Sequence, residues 1–422
     1  MRRDTGCQPL DHAFSRRSFL AGSALAGTVA GVGHAVPTIA GEQIQRRHKQ
    51  VLQVFLQGGV SQLESWDPKP GTRHGGPFGA IPTSVPGVHI SELLPETAQQ
   101  MHHLSIVRSV NIKINDHGQG RMFMEKGRRA GDYPYVGSVA AKYLGPDDSR
   151  LPKFITISTR GLNDQSAAAF LGAKYTQLKL SGAEAPANLN LPKGIDTSAE
   201  QRRQQLRLAM NERFASGRRK AHVETYNASF EQAQRMVKRR DVFVAEPTPQ
   251  DLDRYGRHEF ARNCVLARTL LEEGVTCVKV SHHGYDTHAE NFNFHLEQLG
   301  EFDRPFATLL ADLADRGMLE HTLVMVYSEF GRTPKINVRY GRDHWGTAWS
   351  VALGGCGIVP GAVIGKTNDE GTAVADREVD AGHLFHTYFS ALGIDTFADH
   401  DVPGRSIPIG DPAAAPIKEL LA

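Results

Sequence analysis

Cysteine is scarce in this 422-residue chain: Cys7, Cys264, Cys277 and Cys356 are all there is. Three lie beyond residue 40, an odd number at wide spacing, which excludes a disulfide framework. An excess of charge of one sign is missing too, since 48 basic residues face 46 acidic ones for a net charge of +2. A nucleic-acid partner needs a strongly basic domain, so none is expected. Beyond the first 40 residues no apolar run is long and pure enough to cross a bilayer. No internal repeat is visible. What remains is ordinary globular material in which 40% of residues are apolar.

The N-terminus has its own texture. Ser15 to Pro37 reads SRRSFLAGSALAGTVAGVGHAVP, with Arg16 and Arg17 ahead of a weakly apolar stretch of Ala, Gly and Val and a small-residue end. That is the layout of an export signal, and the paired arginines resemble the twin-arginine type. Gly22, Gly27, Gly31 and Gly33 suit a packed helix poorly. The apolar stretch does not end in cysteine, so no stable membrane anchor is expected. Residues 1–40 are therefore expected to be signal and linker, with the twin-arginine translocase as export partner and the periplasm or extracellular space as destination. Residues 41–422 are expected to form one domain.

Within that domain VLQVFLQGG from Val51, LSIVRSV from Leu104, FITIST from Phe154, VTCVKVS from Val275, LVMVYS from Leu323 and WSVALGG from Trp349 read as buried strands. Helices are expected over Leu252–Glu273, Phe294–Arg316 and His383–Leu392, each followed by glycine. The stretch 197–245, rich in Gln, Arg, Glu and Ala, reads as an exposed helical insertion. Strands alternating with helices predict an α/β fold: a mostly parallel sheet covered on both faces. In such sheets functional residues gather beyond the carboxyl ends of the strands.

Those strand ends carry carboxylates and imidazoles. VTCVKVS runs into His282, His283, Asp286 and His288; LVMVYS runs into Glu329 and then Asp343-His344; LSIVRSV is followed by Asp116-His117. Carboxylate oxygen with imidazole nitrogen is the ligand mix of zinc, manganese and similar divalent ions. Each pair also has a plain structural alternative: Asp286 as a helix cap, Glu329 paired with Arg332, Asp343-His344 as a turn. Their joint placement is what points to a site.

LQGGVSQLESWDPKPG, DHGQGRMFMEKGRR, YDTHAENF, SEFGRTPKIN and GRDHWG, in this order, resemble the exported bacterial family known as domain of unknown function 1501, over roughly Val51 to Ile407. That family is placed with the alkaline-phosphatase-like and sulfatase-like hydrolases. The resemblance implies a three-layer alkaline-phosphatase-like sandwich and one or two divalent ions (Zn, Mn or Ca) serving hydrolysis of an anionic sulfate or phosphate ester. It puts Asp286, His288, His344, Glu329 and Asp343 among candidate metal groups. Asp116 or His117 falls at the nucleophile's place, and Arg332, with Arg121, would orient the anion. The pattern departs from the superfamily in three ways. No Ser, Thr or Cys stands at the nucleophile's place, Gln57 replaces a ligand aspartate, and Phe330 replaces an imidazole. Asp67 or Glu64, in the same loop as Gln57, could compensate. The alternative is a non-catalytic exported protein of the same fold that binds a ligand such as a sulfated glycan.

Overall fold

The computed structural model describes residues 48–160, 167–186, 189–190, 193–216, 220–402 and 404–422. The expected export signal lies outside the described residues. Strand β1 (Gln50–Leu56) is buried along its whole length. After it come a hairpin of β2 (Ala80–Pro82) and β3 (His89–Ser91), then β4 (Leu104–Val110), β5 (Phe154–Ile157), β6 (Leu178–Leu180), β7 (Cys277–His282) and β8 (Thr322–Tyr327). A two-residue ribbon of β9 (Gly331–Arg332) and β10 (His344–Trp345) precedes β11 (Trp349–Gly355) and β12 (Val363–Ile364). Eight of these form one sheet in the order β12-β4-β11-β8-β1-β7-β5-β6.

Every neighbouring pair in that sheet is parallel except those made by β11, which runs antiparallel to both β4 and β8. The central strands β1, β7 and β8 are buried along their whole length because helices cover both of their faces, the usual condition of a parallel sheet. The carboxyl ends of β1, β4, β7 and β8 therefore open at the same edge.

The helices are α1 (Pro95–Gln99), α2 (His117–Lys126), α3 (Val136–Tyr143), α4 (Thr197–Ala215), α5 (Lys220–Lys238), α6 (Arg240–Val244), α7 (Pro249–Tyr255), α8 (Glu259–Glu272), α9 (Asn291–Asp315) and α10 (Ala381–Ala391). On one face of the sheet Leu52, Val54, Val278, Val280, Val324 and Val326 pack with Phe260 and Leu270 of α8 and Phe302 and Phe306 of α9. On the other, Val51, Phe55, Cys277, Met325 and Tyr327 pack with Phe123 of α2, Val136 and Val139 of α3, and Phe385 and Tyr388 of α10. The result is three layers, helices on sheet on helices. Each fully buried aliphatic side chain contributes about 1.5–3 kcal/mol relative to exposure.

The helix expected over Leu252–Glu273 is two helices. Gly256, at φ +90°, takes the backbone into a conformation no helix uses, and His258 caps the new start by accepting from the Phe260 amide. In the 197–245 stretch α4 buries none of its side chains. The Arg207 guanidinium, 4.1 Å from the Phe230 ring centre, bridges α4 to α5.

Candidate metal centre

Three close backbone approaches assemble the site. Gly58, just past β1, sits at φ +115°, and a Cβ there would lie 2.5 Å from the Asp286 nitrogen. The glycine therefore lets the β1 loop lie directly against the segment that carries Asp286. Ribbon β9–β10 pairs His344 with Arg332 and so folds the GRDHW stretch back onto the exit of β8. Gly341 lies so close to the His288 carbonyl that a Cβ would be about 2.1 Å from its oxygen. Helix α2 completes the set: Asp116 caps it by accepting from the Gln119 amide at 2.9 Å, leaving His117 as the first helical residue.

Asp286, His288, His344 and His117 meet there. His288 Nε2 is 2.9 Å from His344 Nε2, and Asp286 Oδ1 is 3.1 Å and 3.2 Å from these two nitrogens. His117 Nε2 lies 3.3 Å from Asp286 Oδ2. His117, Asp286 and His344 all offer atoms within 4.8 Å of one another.

The protons decide what this geometry means. His288 Nδ1 lies 2.7 Å from Asp343 Oδ1, and His344 Nδ1 lies 2.8 Å from the Asn115 carbonyl oxygen. Neither partner can donate, so in both rings the hydrogen is on Nδ1 and the neutral imidazole presents a lone pair at Nε2. Two imidazole lone pairs and a carboxylate oxygen thus point at one another across 2.9–3.2 Å. An added proton can bridge one edge of that triangle. A metal ion satisfies all three corners, and the donor set and short spacing fit zinc or manganese.

The surrounding groups hold this set. Asp343 also accepts from the Asn337 amide at 3.1 Å, giving the carboxylate–histidine arrangement that fixes metal-binding imidazoles. Glu329 is buried; its Oε1 accepts from the Gly58 amide at 3.0 Å and from His117 Nδ1 at 2.7 Å. Burial pulls the His117 pKa down, but hydrogen bonds to Asp286 and Glu329 outweigh it and raise it to about 9 in the metal-free protein. Burial would raise Asp286. Hydrogen bonds from His117, from His344 when an added proton bridges that edge, and from Arg332 prevail and hold it far below the usual carboxylate range in the metal-free protein. Phe330 packs its ring 4.9 Å from that of His117 and 4.5 Å from that of His344, an apolar floor under both imidazoles.

The candidate residues thus sort by position. Asp286, His288 and His344 converge, with His117 beside them. Glu329 and Asp343 stand one step back, each orienting an imidazole. Asp116 is occupied in capping α2. Arg332 is fully buried, giving Nε to the Gly59 carbonyl at 2.9 Å and Nη2 to Asp286 Oδ1 at 2.6 Å, so it fixes Asp286 instead of facing the cleft. The expectation that Glu64 or Asp67 compensates for Gln57 fails. Glu64 is paired with the buried Arg342 at 2.8 Å, and Asp67 binds Lys69 and Thr367.

A cleft of about 490 Å³ opens beside the cluster, lined by His117, Asp286 and Glu329 together with Gln57, Arg121, Arg160 and His283. His283 was named only as part of a strand exit. Its Nε2 is 3.2 Å from the Ser158 hydroxyl, which itself donates to the Arg160 carbonyl. Burial, with Arg160 and His282 nearby, pushes His283 down to about 4, so it stays neutral. Asn115 and Asn337 were missed altogether, and their backbone and amide contacts leave no signal in sequence.

The family described as "Protein of unknown function (DUF1501)" matches residues 48–421. The chain belongs to that family. None of the curated proteins compared with it matches. Among solved structures, this DUF1501 member is similar to the phosphonate monoester hydrolase of Agrobacterium radiobacter at 10% identity and TM-score 0.43, over 88% of this chain and 77% of that one. It is also similar to the PsFucS1 sulfatase from Pseudoalteromonas sp., at 13% identity and TM-score 0.37 over 84% and 70% of the two chains. A third is the alkaline phosphatase of the Antarctic bacterium TAB5, at 14% identity and TM-score 0.35 over 82% and 98%. Likeness at this distance carries no residue role across.

Proposed function

We propose that this protein is an exported metal-dependent hydrolase of sulfate or phosphate esters, acting in the periplasm or outside the cell. The observation that supports it is the triangle of His288 Nε2, His344 Nε2 and Asp286 Oδ1, three lone-pair groups turned towards one point. These residues would hold the ion, with Asp343 and the Asn115 carbonyl fixing the imidazoles. A divalent ion there supplies Lewis acidity towards an anionic ester. His117, raised to about 9, carries a proton at neutral pH in the metal-free protein and is placed to pass it to a leaving-group oxygen. Arg121 and Arg160 line the cleft where the anion would sit, and guanidinium suits tetrahedral oxyanions.

The test is metal analysis with turnover. Protein purified without chelator should contain stoichiometric zinc or manganese, and it should cleave 4-nitrophenyl phosphate or sulfate. The Asp286→Ala/His344→Ala variant should do neither while remaining folded. Retained turnover in that variant overturns the reading.

A second reading has its own support. Among the described residues lining the cleft there is no Ser, Thr or Cys, so none of these offers a hydroxyl or thiol nucleophile. On that reading the protein holds a sulfated glycan and hydrolyses nothing. Tight glycan binding without release of sulfate would favour it.

A further inference from the structure

Beneath the site, on the sheet face covered by α2, lies a polar network with no access to the cleft. Gln53 of β1, Lys279 of β7, Tyr327 of β8 and Glu125 of α2 are all at most 2% exposed. Lys279 Nζ donates to Glu125 Oε1 at 2.5 Å, and the Tyr327 hydroxyl donates to the same oxygen at 2.5 Å. Gln53 Nε2 reaches Tyr327 Oη at 3.0 Å and Glu125 Oε2 at 3.3 Å. The Lys279 ammonium also sits 4.4 Å from the Phe55 ring centre. Register alignment puts these groups side by side: Gln53 pairs with Lys279 across β1–β7, and Phe55 with Tyr327 across β1–β8.

Each of the four elements in the network also delivers a site group. β1 leads to Gly58, whose amide holds Glu329; β7 leads to Asp286; β8 leads to Glu329; α2 starts at His117. Glu125 is eight residues along α2 from His117, about 12 Å at the helical rise. A helix that short is a rigid lever, so fixing Glu125 fixes His117. An ion pair this deep is a poor source of stability, because desolvation offsets its attraction and apolar side chains of similar volume hold an interface as well. Apolar packing is non-directional and tolerates sliding, whereas a carboxylate shared by Lys, Tyr and Gln has one place to be.

We infer that Glu125, Lys279, Tyr327 and Gln53 are positioning residues: they lock the axial register of α2 over the sheet so that His117 meets Glu329 and Asp286. The inference rests on His117 belonging to the site and not on the metal itself. The test is the Glu125→Met/Lys279→Met variant, which removes both charges and leaves an apolar filling, examined metal-free by crystallography and then titrated with zinc. It should melt within a few degrees of the native protein. The 2.7 Å contact from His117 Nδ1 to Glu329 Oε1 should open beyond hydrogen-bonding range, about 3.5 Å. Zinc affinity should fall at least tenfold. Glu125→Gln, which keeps an acceptor for Lys279 and Tyr327, should restore affinity to within threefold.

A folded double variant with the contact intact and native zinc affinity overturns the inference. If the double variant does not fold, Tyr327→Phe takes its place. Loss of that one hydroxyl should lengthen the contact from His117 Nδ1 to Glu329 Oε1 in the metal-free crystal, and an unchanged 2.7 Å contact overturns the inference. If the native protein takes no zinc while the contact still opens in the variant, the metal reading falls and the positioning role stands.

Discussion

Among the described residues two histidine–carboxylate clusters form around the exit of β7, and by composition they are nearly the same. One is His117, Asp286 and His344, with His288 against the last two; the other is His258, His282 and Glu301. In the second, His258 Nδ1 accepts from the Phe260 amide at 3.3 Å, so its proton is on Nε2 and goes to Glu301 at 3.1 Å. His282 Nε2 lies 3.4 Å from the other Glu301 oxygen, and its Nδ1 is 2.8 Å from the Tyr285 hydroxyl. Every contact there pairs a donor with an acceptor. In the first cluster three acceptors face one another. The difference lies in where distant backbone and carboxylate groups hold the Nδ1 protons, not in which residues are present.

The largest effect that sharpens this contrast is loss of metal. Asp286→Ala/His344→Ala should abolish stoichiometric zinc by elemental analysis, whereas His258→Gln should leave it unchanged. Metal lost in the second variant and kept in the first would invert the comparison. Next is the support behind His288. Asp343→Ala should weaken zinc binding about 10–100-fold in chelator competition, the usual cost of removing the group that orients a metal-bound imidazole.

A third effect concerns acid. Burial pushes His283, His295 and His400 down to about 4 in the fold, against an ordinary 6.5. Between those values the unfolded chain binds more protons than the folded one, so stability rises with pH and is lost as pH falls from about 6.5 to 4. Calorimetry of the metal-free protein should show melting temperature dropping by several degrees across that window. His295, which accepts from the Ser61 amide and donates to the Asn291 carbonyl, should supply part of the slope, so His295→Gln should flatten it. His117 runs the other way: its contribution is complete below 6.5 and is lost as pH rises through about 9. Glu329→Gln should bring the His117 titration, followed by NMR, back towards 6.5.

The smallest effect is on the second cluster itself. His258→Ala should cost about 1 kcal/mol of stability as a lost helix cap, with no change in metal content or turnover.

Much of the layout was legible because burial on both faces leaves so little freedom. VLQVFLQ, VTCVKVS and LVMVYS can only be central strands, and their exits carry the acids and imidazoles. The direction of β11 was not legible, since WSVALGG is as apolar read either way. Neither was the break at Gly256, where a continuous apolar stripe concealed a turn. Asp286, His288 and His344 were candidates from their placement alone. Their lone-pair directions depend on the Asn115 carbonyl and on Asp343, one of them 229 residues away from the imidazole it holds. Glu64 and Asp67 misled because a carboxylate beside a strand exit looks the same whether it faces a cleft or a buried arginine.

The convergent groups come from three separated stretches of chain, at His117, at Asp286 to His288 and at His344. No fragment ending before residue 344 can close the cluster, and ribbon β9–β10 is the last piece laid over it. An ion seated there would therefore certify that the polypeptide had finished folding. Bound metal per chain would then serve as a direct count of correctly assembled molecules in any preparation.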